Sequence, residues 1–348
     1  MPNDTAPALP LSAESRTDRL PVVGEVVRSE NNRSYALKSI LGEGGYGTVY
    51  EAQDEASRWV NCCTIDSLLF RTFALKAEKW SKTVLKIEIG VLKATNYRNC
   101  KHFCQLTDFG RVANEYMFIV LSLLGPDLAK LRNNMTDRHF TLGTAVRVAM
   151  QISRDVKPGN FAIGNKQEEL HRIVYMFDFG LSRRYVDKNA NVLPSRRDPG
   201  WRGTTRYGSL QAHLKQDLGR KDDYESWLYM IVEITKGSLP WRLVTDRLRV
   251  QEAKQNIRTA GRVDFFSGCP QKYNQLMTMI DALTFEAQPP YEQILKLLLE
   301  ICQDHGVSMG QKYDWGDREH VFDSHFSHSF HRQVSVRSAK GQQRGTSH

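Results

Sequence analysis

The sequence is poor in the features that mark membrane, fibrous and disulfide-bonded proteins. No uncharged apolar run approaches the roughly 18 residues that a transmembrane helix needs. Glycine and proline number 24 and 12 among 348 residues, far from the periodic composition of collagen. The six cysteines are scattered without a framework spacing, which excludes a small fold held together by disulfides.

The N-terminal residues also lack the pattern of a secretory signal. No basic segment is followed there by a long apolar stretch. We therefore expect reduced cysteines and a cytoplasmic or nuclear location.

The composition that is present suits a globular protein with a sizeable core. Hydrophobic residues make up 41% of the chain and charged residues 25%, enough for one large or two medium domains. No long linker divides the chain, so we predict one globular stretch between disordered ends at residues 1–20 and 316–348. The net charge of +9 suggests anionic partners without showing which kind.

Hydrophobic periodicity changes along the chain from strand-like to helical. The clearest strand segments are residues 34–41, 47–52 and 71–77. Leu85, Ile89 and Leu92 follow at helical spacing, and after Leu124 the pattern is mainly helical, most clearly at residues 145–152, 224–235 and 291–302. This order predicts an α+β fold, with a small β-rich part followed by a larger helical part.

A glycine-rich segment follows the first predicted strand. Gly42, Gly44 and Gly47 have the spacing that lets backbone N–H groups of a hairpin approach phosphate oxygens. Alone, the motif fits a hairpin without a ligand or a dinucleotide fingerprint equally well. The dinucleotide motif requires a helix directly after the last glycine, whereas residues 48–50 continue as strand.

A lysine and a glutamate follow at positions that suit phosphate binding. Lys76 ends a short apolar strand, and Glu88 lies on the next amphipathic helix. A lysine placed there holds nucleotide phosphates while the glutamate orients its ammonium group. Taken singly, each residue would more simply be a solvated surface charge.

The most specific segment comes next. Asp155 can accept the proton of an attacking hydroxyl, Lys157 can stabilise a transferring phosphoryl group, and Asn160 can hold Mg²⁺. Asp178 follows the apolar strand at residues 173–177 and would chelate the Mg²⁺ that bridges the phosphates. We reject chance as the source of all these motifs in this order.

From about Tyr35 to Trp315 the chain resembles a eukaryotic protein kinase, and within that superfamily the casein kinase I and tau-tubulin kinase group. The marks of the group are Gly-Thr-Thr-Arg-Tyr-Gly-Ser at residues 203–209, Lys-Asp-Asp-Tyr-Glu-Ser at 221–226, Gly-Ser-Leu-Pro-Trp at 237–241 and Tyr-Asp-Trp at 313–315. The resemblance implies a bilobal kinase domain over residues 21–315, with an N-lobe at 21–121, a hinge at 122–125 and a C-lobe at 126–315.

The resemblance also implies an ATP site with Mg²⁺ between the lobes. Apolar walls around the base would come from Leu41, Val49, Ala74 and Ala162, the gatekeeper would be Leu121, and the hinge contacts would come from Ser122 to Leu124. By the same analogy Thr204 would contact Asp155 and Lys157, and Asp223 would anchor the catalytic loop. The implied function is transfer of the γ-phosphoryl group of ATP to Ser or Thr of protein substrates.

Basic side chains concentrate between residues 181 and 221. This stretch has ten Lys and Arg residues against three aspartates, and thus carries most of the net charge. We predict an anion site centred on Arg206, with Arg183 and Arg184 near it, which favours substrates that are acidic or already phosphorylated. The alternative is that these charges are solvated or paired within the C-lobe. We expect a monomer with no nucleic-acid or membrane partner.

Three departures from the family pattern bear on activity. Ser153 stands where kinases usually have a histidine, and the preceding helix, residues 142–152, is about a dozen residues short, near 17 Å at about 1.5 Å per residue. Such a helix must unwind or displace Asp155. An apolar insertion at residues 59–70 is either a docking surface or an artefact of gene prediction. The alternative function is therefore a catalytically impaired pseudokinase that acts as a binding module.

A second Asp-Phe-Gly tripeptide, at residues 108–110, repeats the metal-binding motif. It precedes Asp155 in what should be the N-lobe sheet, so it cannot supply the chelating aspartate. We interpret it as a coincidence at the junction of a strand and a turn.

Overall fold

In the residues that the structure describes, the N-terminal part of the protein forms a six-stranded antiparallel sheet with strand order β1-β2-β3-β4-β6-β5. A computed structural model of the chain describes residues 18–56, 71–152, 158–201 and 203–316. The strands are β1 Val26–Arg28, β2 Ser34–Glu43, β3 Gly47–Asp54, β4 Thr72–Lys79, β5 Leu106–Val112 and β6 Tyr116–Ser122. Ser153, Asp155, Lys157, the insertion at 59–70 and most of both predicted disordered ends lie outside the described residues.

Strand alternation gives this sheet two different faces. Leu75 and Ala77 of β4 lie in a core with aromatic residues of β2 and β6 on one face. Ala74, Lys76 and Glu78 alternate with them and therefore lie on the other face. Helix α1, Leu85–Tyr97, covers that second face and buries Leu85, Ile89 and Leu92. The predicted helical spacing is thus confirmed, and it brings Glu88 toward β4.

The C-terminal part is mainly helical, and its elements pack around the buried helix Arg220–Lys236. The elements are α2 Leu128–Asn133, α3 Leu142–Gln151, β7 Phe161–Ile163, β8 Val174–Met176, α4 Leu210–His213, α5 Arg220–Lys236, α6 Arg247–Asn256, α7 Arg262–Phe266, α8 Gln271–Asp281 and α9 Tyr291–Asp304. Every residue from 227 to 232 in α5 is fully buried. The chain leaves α5 at Gly237, whose φ of +92° is the left-handed conformation that glycine adopts without strain. The predicted α+β, bilobal fold is confirmed.

The shortened helix α3 is held at both ends by the C-terminal segment. Arg147 donates a hydrogen bond of 2.9 Å to the carbonyl oxygen of Lys312. Asp314 accepts one of 2.7 Å from the amide of Thr141, and Gln151 donates to the hydroxyl of Tyr313 at 2.9 Å. Residues 142–151 are therefore continuously helical, and the helix does not unwind there. The other expected consequence was a displacement of Asp155. That residue lies outside the described residues.

Asp108 of the second Asp-Phe-Gly tripeptide is a structural residue in the middle of β5. It is 2% exposed, and its carboxylate accepts hydrogen bonds from Tyr35 at 3.0 Å and Asn31 at 2.8 Å. The tripeptide lies in the N-terminal sheet as expected, but within a strand and not at a turn.

Among the described residues, no helix combines the length and apolar character needed to cross a membrane.

Candidate active site

Three predicted site residues from distant parts of the chain meet between the sheet and the helical part. The Nζ atom of Lys76 on β4 lies 2.7 Å from Oε2 of Glu88 on α1. The same Nζ atom lies 3.2 Å from Oδ1 of Asp178, which follows β8. The Glu88 side chain is 1% exposed and that of Asp178 is 45% exposed, so the cluster runs from the interior to an open surface.

Glu78 joins this cluster and was missed by the sequence analysis. Its Oε1 lies 3.4 Å from Nζ of Lys76, and its Oε2 accepts a hydrogen bond of 2.9 Å from the amide of Val84. Val84 is the residue directly before α1, where helix N–H groups have no partner inside the helix. The alternation of β4 already put Glu78 on the same face as Lys76, and that signal could have identified it.

The three carboxylates determine the charge state of the lysine. Burial disfavours the ammonium form of Lys76, but Glu88, Asp178 and Glu78 outweigh that cost, and the pKa of Lys76 is raised above its usual value. The lysine therefore stays charged at physiological pH. Its positive charge is fixed in place beside the exposed carboxylate of Asp178.

Asp178 and Asn160 line one cavity of about 320 Å³, together with Thr204 and Asp223. Asn160 ends the turn Pro158–Asn160, and its carbonyl oxygen accepts a hydrogen bond of 2.9 Å from the amide of Phe177. A carboxylate and an amide oxygen are hard donors of the kind that Mg²⁺ prefers, and Mg²⁺ commonly takes only one or two protein ligands beside phosphates. The donor set fits that ion.

The residue after Asp178 secures this position. Phe179 is 3% exposed, and its ring stacks on Phe103 with centroids 5.6 Å apart. Asp178 itself has φ of +68°, a conformation that costs energy for a residue with a Cβ atom. Buried packing of Phe179 thus holds Asp178 in this strained backbone conformation, with its carboxylate beside Lys76.

The predicted glycine-rich segment is the hairpin between β2 and β3. The amide of Gly44 donates to the carbonyl of Gly47 at 2.9 Å. A Cβ atom at Gly42 would meet no atom within 4 Å, whereas one at Gly47 would collide with the carbonyl oxygen of Ala77. Gly47 is therefore required by the close approach of β3 to β4, whatever the hairpin binds.

The predicted apolar walls lie on strands of both sheets, with Leu41, Val49 and Ala74 on β2, β3 and β4 of the larger sheet. Ala74 pairs directly with Leu121 across β4 and β6, and β7 carries Ala162. Leu121 and Ala162 are buried, at 7% and 3% exposure. The other predicted wall and hinge residues are half-buried: Leu41, Val49, Ala74, Ser122 and Leu124.

Two of the three predicted anion-site arginines, Arg183 and Arg206, are already paired with acidic side chains of the protein. Arg183 lies 2.5 Å from Asp217, which also binds Arg196 at 2.7 Å. Arg206 lies 3.3 Å from the fully buried Glu233. Pairing within the C-lobe, the alternative considered for these charges, is thus observed at these positions.

Arg184 is exposed, and its Nε donates a hydrogen bond of 2.8 Å to the backbone oxygen of Val186. The side chain of Arg206 is 36% exposed even though it is paired with Glu233. An anion site formed by these arginines stays a prediction.

Comparison with known proteins gives the family. The chain is 30% identical over 332 residues to serine/threonine-protein kinase spe-6 of Caenorhabditis elegans, which covers 89% of this chain and 83% of that protein. The chain belongs to the casein kinase I-like serine/threonine protein kinases. No protein-family model matches it.

Other members of this kinase family match over a smaller share of their own length. A probable serine/threonine-protein kinase of Dictyostelium discoideum is 33% identical over 290 residues, covering 79% of this chain and 55% of that protein. Casein kinase I homolog 1 of Saccharomyces cerevisiae is 30% identical over 300 residues. The aligned region covers 81% of this chain and 53% of that protein. The chain spans about half the length of these two relatives.

Proposed function

We propose that this kinase-family chain transfers the γ-phosphoryl group of ATP to Ser or Thr of protein substrates. The observation that supports this most strongly is the contact of Lys76 with both Glu88 and Asp178. A phosphate-binding lysine, the glutamate that orients it and a metal-binding aspartate must be in place together for phosphoryl transfer. The cluster is already assembled in this arrangement.

Each residue has a separate task in this proposal. Lys76 holds the phosphates, and Asp178 and Asn160 hold Mg²⁺, which when bound neutralises charge on the phosphates. Asp155 accepts the hydroxyl proton of the substrate, and Lys157 stabilises the transferring group. Catalysis then consists of positioning and charge stabilisation, with no covalent enzyme intermediate.

The adenine of ATP would lie against apolar residues between the two lobes. Leu41, Val49, Ala74 and Ala162 supply the walls, and residues 122–124 supply the backbone hydrogen bonds. The lobe boundaries of this proposal are those of the sequence analysis, with residues 21–121, 122–125 and 126–315 as N-lobe, hinge and C-lobe.

The proposed substrates carry acidic or phosphorylated residues near the target hydroxyl. The support is the excess of basic side chains between residues 181 and 221, together with the exposed parts of Arg184 and Arg206. A guanidinium group can bind carboxylate or phosphate through two hydrogen bonds. A monomeric state, a cytoplasmic or nuclear location and the lack of nucleic-acid or membrane partners stay predictions.

A pseudokinase is the second candidate, and the short helix α3 favours it. With Leu142–Gln151 the helix has ten residues, and Ser153 replaces the usual histidine directly before Arg154. If this displaces Asp155 by about 1 Å, the rate falls on the order of a hundredfold. Such a catalytically impaired chain would act mainly as a binding module.

A phosphotransfer assay with Mg-ATP and casein separates the two candidates. Wild type would be run beside Asp155→Asn and beside a chain in which about a dozen helix-forming residues lengthen α3. Transfer by wild type that Asp155→Asn abolishes, with ATP binding retained, supports the kinase. Transfer only by the lengthened chain supports the pseudokinase, and loss of ATP binding in Asp155→Asn contradicts the role given to Asp155.

A further inference from the structure

A buried lysine outside the ATP cluster is directed at the backbone of the family-specific segment. Lys254 on α6 is fully buried. Its Nζ donates to the carbonyl oxygens of Thr205 at 2.8 Å and Gly208 at 2.6 Å. Both ends of the four-residue stretch 205–208 are therefore held by one ammonium group.

The third N–H of this ammonium group also has an acceptor. Nε2 of His213 lies 3.1 Å from Nζ, and the rings of Tyr229 and Trp241 lie 5.1 and 5.3 Å away. Three donors thus meet three acceptors between two aromatic rings, which suits a charged lysine and a neutral histidine. Burial beside Lys254 lowers the pKa of His213 to about 4, which keeps the ring neutral.

Burying the ammonium group of Lys254 at this position lowers the stability of the folded protein. Glu225, the carboxylate that acts on it electrostatically, is engaged by Arg258 at 3.0 Å. Burial lowers the pKa of Lys254 to about 7. Since a buried charge without a close carboxylate costs stability, an apolar side chain would suit this core better unless the carbonyl groups need the ammonium.

The segment held by Lys254 is a wall of the cavity that contains Asp178. Thr204 and Gly208 line that cavity beside Asn160 and Asp178. Trp241 reinforces the hold from the same side, because its Nε1 donates to the carbonyl of Arg206 at 2.8 Å. The backbone that faces the proposed metal ligands on one side is thus fixed to α6 on the other.

We infer that Lys254 is a positioning residue for the protein substrate: by holding the backbone of residues 205–208, it shapes the surface on which the substrate chain lies next to Asp178. This rests on the proposed kinase function. Lys254 does not touch nucleotide or substrate, so its removal affects substrate binding and leaves ATP binding unchanged.

The test replaces Lys254 by methionine, which fills similar volume but leaves both carbonyl groups without a donor. The control is Arg249→Met, which removes an exposed cation from the same helix. With Mg-ATP and casein, we expect Lys254→Met to raise the KM for casein about tenfold, while the KM for ATP and that of the control stay within about twofold.

Amide hydrogen exchange of the same variants tests the positioning without any transfer. Faster exchange confined to residues 204–209 in Lys254→Met, and absent from Arg249→Met, supports the inference. This holds even if wild type transfers no phosphate, in which case only the proposed function fails. Unchanged exchange in this segment, or equal increases in the KM for ATP and casein, overturns the role of Lys254.

Lys254→Gln keeps the measurement decisive if the methionine variant does not fold. The amide can donate to one of the two carbonyl groups, so we expect a smaller increase in exchange, again at residues 204–209. Exchange that rises throughout the C-lobe, with no excess in this segment, contradicts the inference.

Discussion

The carboxylate of Glu78 bridges Lys76 and the start of helix α1. One oxygen lies 3.4 Å from the lysine Nζ, and the other accepts a hydrogen bond of 2.9 Å from the amide of Val84. The hydroxyl of Thr83 donates to the same carboxylate at 3.2 Å. Helix α1, which carries Glu88, is therefore tied to the strand that carries its lysine partner, and the helix cannot move away without breaking this bridge.

Glu78→Gln should weaken the binding of the ATP phosphates by Lys76 while the fold stays intact. Glutamine can still accept from the amide of Val84, but it removes one negative charge beside Lys76. We expect about a fivefold loss of affinity for an ATP analogue, measured by calorimetry, and faster amide exchange at the start of α1. Glu51→Gln on the neighbouring strand is the control, and an equal loss there would contradict a specific role for Glu78.

Lys76→Met should abolish phosphate transfer without unfolding the protein. The phosphate grip is lost, and the buried Glu88 avoids an unpaired charge by taking up a proton. Activity on casein and the far-ultraviolet circular dichroism spectrum check the two parts. Lys79→Met, at the end of the same strand, should keep transfer, and wild-type turnover by Lys76→Met would show that the lysine assignment is wrong.

Asp217→Asn should loosen the segment that follows Asp178. Asp217 is 5% exposed and binds both Arg183 and Arg196, whose hydrogen bonds hold the pKa of Asp217 well below its usual value. Without the charge, trypsin should cleave near residues 183–197 several times faster.

The exposed Asp198 gives the matched control for this experiment, as Asp198→Asn. The sign with pH follows from the lowered pKa: the stabilisation by Asp217 is present above about pH 4 and is lost as the pH falls below it. Wild type should therefore lose more stability than Asp217→Asn on acidification. Equal cleavage rates in both asparagine variants would contradict the conclusion that Asp217 holds this segment through Arg183 and Arg196.

His213 should make the protein less stable in mild acid. Burial and Lys254 lower its pKa from 6.5 to about 4, so between these pH values the unfolded chain binds a proton that the folded chain does not. Stability therefore falls as the pH drops from 6.5 to 4, by at most about 3 kcal/mol from this group.

Urea unfolding at several pH values measures this effect in wild type and in His213→Gln, which keeps an acceptor for Lys254. The difference between the two proteins should shrink as the pH falls, because glutamine does not titrate. A difference that is constant from pH 7 to 4 would mean that His213 does not titrate as stated.

Arg206→Ala should reduce the preference for acidic peptides, measured as rates on acidic, neutral and basic peptides. The Arg206 side chain stays 36% exposed although its guanidinium already binds Glu233 and the carbonyl of Arg242, so we expect a second anion to reach it. The preference should also weaken with salt, because exposed charges are screened over about 8 Å at physiological ionic strength.

Arg242→Ala is the control for this variant, because it removes a neighbouring cation but keeps the carbonyl group that accepts from Arg206 at 3.0 Å. Equal wild-type rates on all three peptides, or an unchanged preference in Arg206→Ala, would contradict the anion site.

The sequence predicted the parts of the site that depend on local pattern. Helical spacing of Leu85, Ile89 and Leu92 determines which face of α1 is buried, and this brings Glu88 toward the sheet. The order of the glycines, Lys76, residues 154–160 and Asp178, together with the group-specific motifs from 203 to 315, carried the resemblance to the kinase family, because phosphoryl transfer needs these residue types in this order. Strand and helix patterns repeat every two or 3.6 residues, and catalytic motifs are short and contiguous, so both can be recognised in a single sequence.

Only the tertiary structure decided which charges face each other across the fold. The run of basic residues after Leu181 indicated an open anion site, but Glu233 and Asp217, from other segments, pair with Arg206 and Arg183. No sequence pattern singled out Lys254, yet packing of α6 buries it against residues 205–208. Composition determines how many charges a chain has, whereas their partners depend on which segments come together when the core is buried, and periodicity does not carry that information.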